Sequence, residues 1–162
     1  MSLQPFLSWL ENTAPATAIR ESASLFPWLE SIHVLAITAV VGLIAVVDLR
    51  LLGFTFRERR VSDLMDQVLP LTRAAFVVAV FTGIGMFVTR ASEYMQMTPF
   101  LAKLALLGVA LINIWIFHLL TVRDIEAWDT AVGMPAKAKL AGGTSLALWV
   151  AITACGRWIG FV

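Results

Sequence analysis

Two histidines and a few charges sit within or beside long apolar stretches of this chain, and any chemistry it performs there has to use them. His33 follows Glu30 by three residues, and Asp48 follows His33 by fifteen. Lys103 and His118 repeat the interval of fifteen. Three residues apart on a helix is one face, and fifteen at 3.6 per turn returns to within about 60° of the same stripe. Ionisable groups inside a bilayer are costly, so each is a functional candidate by default. Arg90 and Arg157 lie near the ends of their apolar stretches, and Met95 and Met97 form a Met-x-Met pair. Imidazole is a common metal ligand and proton carrier, and thioether sulfur suits Cu(I).

The elements that must position these groups are four stretches free of Asp, Glu, Lys and Arg. They cover residues 31–47, 74–89, 104–122 and 140–156, and are 17, 16, 19 and 17 residues long. A spanning helix takes roughly 17–25 apolar residues. Flanking apolar residues extend each run, predicting helices over about 27–53, 70–95, 99–122 and 137–160. The runs are too long for barrel strands of about 9–11 residues and do not alternate. Helices also pair their own backbone groups, which lipid demands. Pro27, Pro70 and Pro99 each fall near a predicted helix start, where a missing N–H costs least.

Composition agrees. Of 162 residues, 59% are hydrophobic and 14% charged, against roughly half and a quarter in soluble domains. The mean hydropathy is +0.84. These values exclude a disordered chain and argue against a water-soluble globule. A net charge of +1 offers no basic surface for nucleic acid. A lone cysteine, Cys155, excludes an intrachain disulfide and a cysteine cluster. The fold expected is all-α: a polytopic membrane protein, a four-transmembrane-helix bundle in one membrane domain over 1–162. A short N-terminal amphipathic helix in LQPFLSWLENT would lie on the membrane.

Lysine and arginine counts set the orientation. Arg50, Arg57, Arg59, Arg60, Arg73, Arg123, Lys137 and Lys139 fall on one side, eight in all; Arg20, Arg90, Lys103 and Arg157 are the four on the other. The richer side faces the cytoplasm of a bacterial inner membrane, with both termini outside. No cleavable signal pattern precedes the first helix. Trp28 and Trp158 on the outer side, and Trp128 on the inner, read as interfacial anchors. Ala75, Ala79 and Gly83, and likewise Gly143, Ala147, Ala151 and Cys155, form stripes of small residues that let helices approach closely.

Depth sorts the polar groups into two layers. Glu30, His33, Arg90, Glu93, Lys103 and Arg157 form an outer one. Asp48, Arg50, Arg73, His118, Arg123 and Asp124 form an inner one, where Asp48 would pair with Arg73 and accept from His118. Helices one and three are separated by two crossings and so run parallel. His33 and His118 therefore differ in depth by about ten residues or more, hence about 15 Å or more. One haem iron cannot take both as axial ligands, whereas His33 and Lys103 share a depth. Met95, Met97 and His33 would make an outer copper site instead. Glu30, His33, Asp48 and His118 would also mark the two ends of a polar proton relay. P-loop, dinucleotide, HExxH and CxxC motifs are absent.

The stretch ESIHVLAITAVVGLIAVVDLRLLGF, residues 30–54, and the ending CGRWIGF, residues 155–161, resemble an uncharacterised family of four-helix bacterial integral membrane proteins. The resemblance covers nearly the whole chain and implies no activity. More distantly, a histidine early in the first span and the lysine and histidine of FLAKLALLGVALINIWIFH resemble the J-type protoporphyrinogen oxidase and copper-resistance D membrane families. That resemblance implies haem contacts at His33 and Lys103, and His118 matches the histidine ending the same helix in the oxidase. The 26 residues ahead of the first span depart from the oxidase pattern, so the site carries over and the reaction does not.

The function expected is haem b binding with a redox or electron-transfer role. His33 would be the axial ligand to the iron, Lys103 the second ligand or a propionate partner, and Arg90 and Arg157 would also suit propionates. A cofactor-free accessory subunit of a larger membrane complex and a copper-handling protein are the alternatives. The partners expected are the lipid bilayer, with other membrane subunits or a homo-oligomer, and no nucleic acid.

Overall fold

The computed structural model describes residues 3–120, 125, 127–129 and 134–161. Four helices are long and apolar enough to cross a membrane, and they make this a membrane protein. They are α3 (Leu25–Leu52), α4 (Val61–Phe87), α6 (Thr98–Leu120) and α7 (Ala136–Trp158). The shorter α1 (Gln4–Glu11), α2 (Ala14–Glu21) and α5 (Ala91–Tyr94) gather at one end. A 3-10 turn, Ile159–Phe161, follows α7. No strand occurs among the described residues.

The second span departs furthest from the sequence expectation. It begins at Val61 and ends at Phe87, so Pro70 stands inside the helix rather than at its start. VSDLMDQVL continues into the span because Val61, Leu64, Met65 and Val68 are buried at helical spacing. Pro70 removes one intrahelical N–H bond. At the other end, residues 88–97 leave the helix and turn through α5. The N-terminal segment forms two helices, where one was expected.

α3 packs against α4 and α7, and α7 packs against α6. The order across the bundle is therefore α4, α3, α7, α6. The backbones of the outer pair, α4 and α6, barely meet, and the two helices touch through side chains such as Met65 and Phe117. α3 ends at Gly53, whose φ of +82° is the left-handed C-cap that glycine adopts freely. Its amide bonds Arg50 O at 3.0 Å and the next amide bonds Leu49 O at 3.0 Å.

The α3–α7 contact is the closest. A Cβ on Gly142 would lie 3.0 Å from Leu51 Cβ and 3.1 Å from Asp48 O. The buried face of α7 is Ala138, Gly142, Ser145, Trp149 and Ile152. It is offset from the expected stripe, and Ala147 is exposed. The offset arises because Gly142, not Gly143, meets the backbone of α3.

At the α3–α4 loop end, Leu51, Val61, Met65, Phe117, Trp128, Met134 and Ala138 form one apolar cluster. Trp128 is therefore a core residue and not an interfacial anchor. Trp28 and Trp158 are exposed, as anchors require. Asp129, beside Trp128, caps α4: its carboxylate accepts from the Ser62 amide at 2.8 Å, the Ser62 hydroxyl at 2.6 Å and Arg60 Nε at 2.9 Å. Burial alone would raise this carboxyl, but the Ser62 and Arg60 donors hold it below the usual carboxylate value.

Candidate functional site

The polar groups fall into two places, and the His33 layer lies toward the end that carries α1, α2 and α5. α3 presents half-buried His33 to α4, where Nδ1 lies 3.0 Å from Thr82 Oγ1. The Thr82 hydroxyl has one proton and directs it to Val78 O at 2.7 Å, with Ala79 O at 3.2 Å. Thr82 can then only accept from His33, so Nδ1 carries the hydrogen and Nε2 keeps its lone pair. Gly83 makes this approach possible: a Cβ there would stand 3.1 Å from His33 Cε1.

Lys103, from the first turns of α6, joins the same layer. Its ammonium acts electrostatically on His33, and Cys155 of α7 lies near enough to act on Lys103. A Cβ on Gly156 would lie 3.5 Å from Lys103 Nζ. No acidic side chain pairs with Lys103 among the described residues. One layer thus draws His33 from α3, Thr82 and Gly83 from α4, Lys103 from α6, and Cys155 and Gly156 from α7.

The remaining candidates at this end have local partners. Arg90 is exposed and lies 3.6 Å from Glu93 Oε2. Arg157 stacks over the Phe161 ring at 4.8 Å. Glu30 is exposed and acts electrostatically on Tyr94. Burial raises the Tyr94 phenol above its ordinary value. Tyr94 packs with Phe87 and Phe100 in an aromatic cluster. Met97 lines a surface cleft with Gln96, Pro99, Ala102 and Trp158. Among the described residues no group of three or more His, Cys, Asp or Glu could hold a metal ion.

The second place is a cavity of about 230 Å³ toward the α3–α4 loop end, lined by all four spans. Asp48, Arg73 and His118 all reach it. The expected ion pair between Asp48 and Arg73 is not formed within 4 Å. His118 Nδ1 lies 3.0 Å from Ile114 O of its own helix, not from Asp48. A carbonyl only accepts, so this imidazole too is protonated at Nδ1. Asp48 instead has Ser145 of α7 as its hydrogen-bonding neighbour. Arg123 and Asp124, expected in the same layer, lie outside the described residues.

Sequence reasoning did not assign the roles of five contributors. Thr82, Gly83 and Gly156 were legible only as helix residues and small residues. Ser145 carried no signal, because a serine in a span ordinarily bonds its own helix. Asp129 was unremarkable among the acids of a polar loop.

No curated protein and no solved structure matches the chain. A family model does match, over residues 18–162, and covers all four spans and the His33–Lys103 layer. The chain belongs to that family, a family of unknown function designated DUF6644.

Proposed function

We propose that the protein binds haem b in the His33–Lys103 layer and serves a redox or electron-transfer role in a bacterial inner membrane. The observation that carries this reading is the 3.0 Å contact between His33 Nδ1 and Thr82 Oγ1. Thr82 holds its Nδ1–H, which leaves Nε2 as a lone pair on a fixed ring. A metal-binding histidine is characteristically held through its other nitrogen in this way.

The surrounding residues fit the group. Lys103 is a half-buried cation without an acidic partner among the described residues. A haem propionate would neutralise it, or its amine would bind the iron as a second ligand. Arg90 and Arg157 lie at the same end, exposed enough to meet a propionate from the membrane surface. Bound haem supplies one-electron exchange at iron; the chain supplies the imidazole, the countercharge and an apolar surround. The excess of lysine and arginine at the opposite end turns this layer outward.

The test is an absorption spectrum of protein purified in detergent with haem available, first air-oxidised and then dithionite-reduced, beside a His33→Ala sample. A Soret band with sharpened reduced bands, lost in the variant, is the expected result. A featureless spectrum from well-folded protein overturns the reading.

A further inference from the structure

The cavity at the other end has one polar pole and one apolar body. Thr72 and Asn113 also line it: the Thr72 hydroxyl donates to Val68 O at 2.9 Å, and Asn113 Nδ2 donates one of its two hydrogens to Ala141 O at 3.2 Å. Asp48 Oδ2, Arg73 and His118 Nε2 are the groups that can meet a ligand there. Asp48 is only 4% exposed, and its Oδ2 has no hydrogen-bond partner. A buried polar atom left unpaired is expensive, and lining a cavity is a reason to keep it so. His118 has its proton on Nδ1, so Nε2 is an acceptor. Arg73 can only donate. The body of the cavity is aliphatic, with Phe76, Phe117 and Trp149 added.

Size and access narrow the occupant. The volume exceeds the roughly 150 Å³ that accommodates benzene and falls short of the roughly 300–1,000 Å³ of pockets for drug-sized ligands. That is room for one substituted ring and not for a larger molecule. The backbones of α4 and α6 barely meet, so a chain attached to the ring would leave between them into lipid. The ring must offer oxygens able both to accept and to donate, because Arg73 donates, His118 accepts and a carboxyl does either according to its proton. A simple acyl chain would leave Asp48 unmet. A lipophilic cation would face Arg73.

We propose that this cavity binds the head ring of a membrane quinone or its quinol, with the isoprenoid tail passing between α4 and α6. The quinol hydroxyls donate to Asp48 and His118 Nε2. The quinone carbonyls accept from Arg73 and from the protonated Asp48. This site lies apart from the His33–Lys103 layer and does not depend on what that layer holds.

The test is titration of the full chain, in nanodiscs of phosphatidylcholine, with a decyl-substituted benzoquinone, read by quenching of tryptophan fluorescence. Trp149 is the reporter, and a Trp149→Phe sample identifies its share of the signal. Saturable quenching is expected, weakened tenfold or more by Ala110→Trp, which fills the cavity, and by Asp48→Leu. Should either buried variant fail to fold, the exposed pair Arg73→Gln/His118→Gln decides, with an expected loss of several-fold at unchanged helix content. Quinone affinity that ignores both the filling variant and the rim pair overturns the proposal. So does saturable, Asp48-dependent binding of tetraphenylphosphonium without quinone binding, or equal competition by decanol.

Discussion

Asp129, in the segment between α6 and α7, caps the first turn of α4 through Ser62, 67 residues earlier in the chain. Val61 N adds a bond to Asp129 O at 3.3 Å. Helix α4 opens with no cap from its own side chains, so the orphan amides of its first turn are met from a distant loop. This contact joins two parts of the bundle whose helix backbones otherwise barely meet. It ties the start of α4 to the α6–α7 segment at the loop end.

Asp129→Ala removes three charge-assisted bonds, taking this acceptor from the Ser62 amide, the Ser62 hydroxyl and Arg60 Nε. It should cost about 1–3 kcal/mol of stability, read as a lower unfolding midpoint in detergent. The folded carboxyl sits below its ordinary value of 3.8. Its contribution is therefore complete above about that pH and is lost as pH falls toward the lower folded value. The wild-type and Asp129→Ala midpoints should differ at neutral pH and converge in acid. A constant difference down to acid pH would refute the ionic origin of the cap.

Gly142→Ala tests the α3–α7 contact. The new methyl would meet Leu51 Cβ at 3.0 Å and the Asp48 carbonyl at 3.1 Å. Backbone cannot swing aside as a side chain can, so a penalty of about 1–3 kcal/mol is expected. Gly108→Ala, where nothing lies within 4 Å, is the neutral control. Equal unfolding midpoints for the two variants would show that the helices do not approach so closely.

Thr82→Val keeps the shape of the residue and removes the acceptor for His33 Nδ1–H. Under the haem reading it should weaken haem binding about 10–100-fold, measured by titration of the apoprotein, with Thr82→Ser restoring affinity. Gly83→Ala should act in the same direction by pushing the His33 ring away. Unchanged affinity in both would mean that the ring is not held for a metal.

A reporter fused to the C-terminus checks the orientation. With eight basic residues on one side and four on the other, a phosphatase fusion should be active outside the cytoplasm and a fluorescent fusion dark there. The opposite pattern would invert the placement of both layers.

Much of the bundle was legible because lipid imposes so blunt a constraint. Uncharged runs of 16–19 residues have few structural options, and the first, third and fourth spans fall within about two residues of their expected ends. The second did not, because charge marks solvent exposure, not helix ends. VSDLMDQVL carries two aspartates yet buries Val61, Leu64, Met65 and Val68. Trp128 was misread for a related reason: an aromatic residue near a membrane surface reads as an anchor until a loop folds back over it.

Residue types and spacing alone dictated the number of spans, the bounds of three of them, and the two depths at which His33 with Lys103 and Asp48 with His118 would lie. Those follow from helical rise and the cost of charge in lipid, both local properties of the chain. The bonds of each group were decided only by packing. The proton on His33 is assigned by Thr82 on another helix, the neighbour of Asp48 is Ser145 rather than Arg73, and the cavity is lined by residues from all four spans. Each depends on the rotation of one helix against another, a quantity set by the contact of whole faces and invisible to periodicity within a single run.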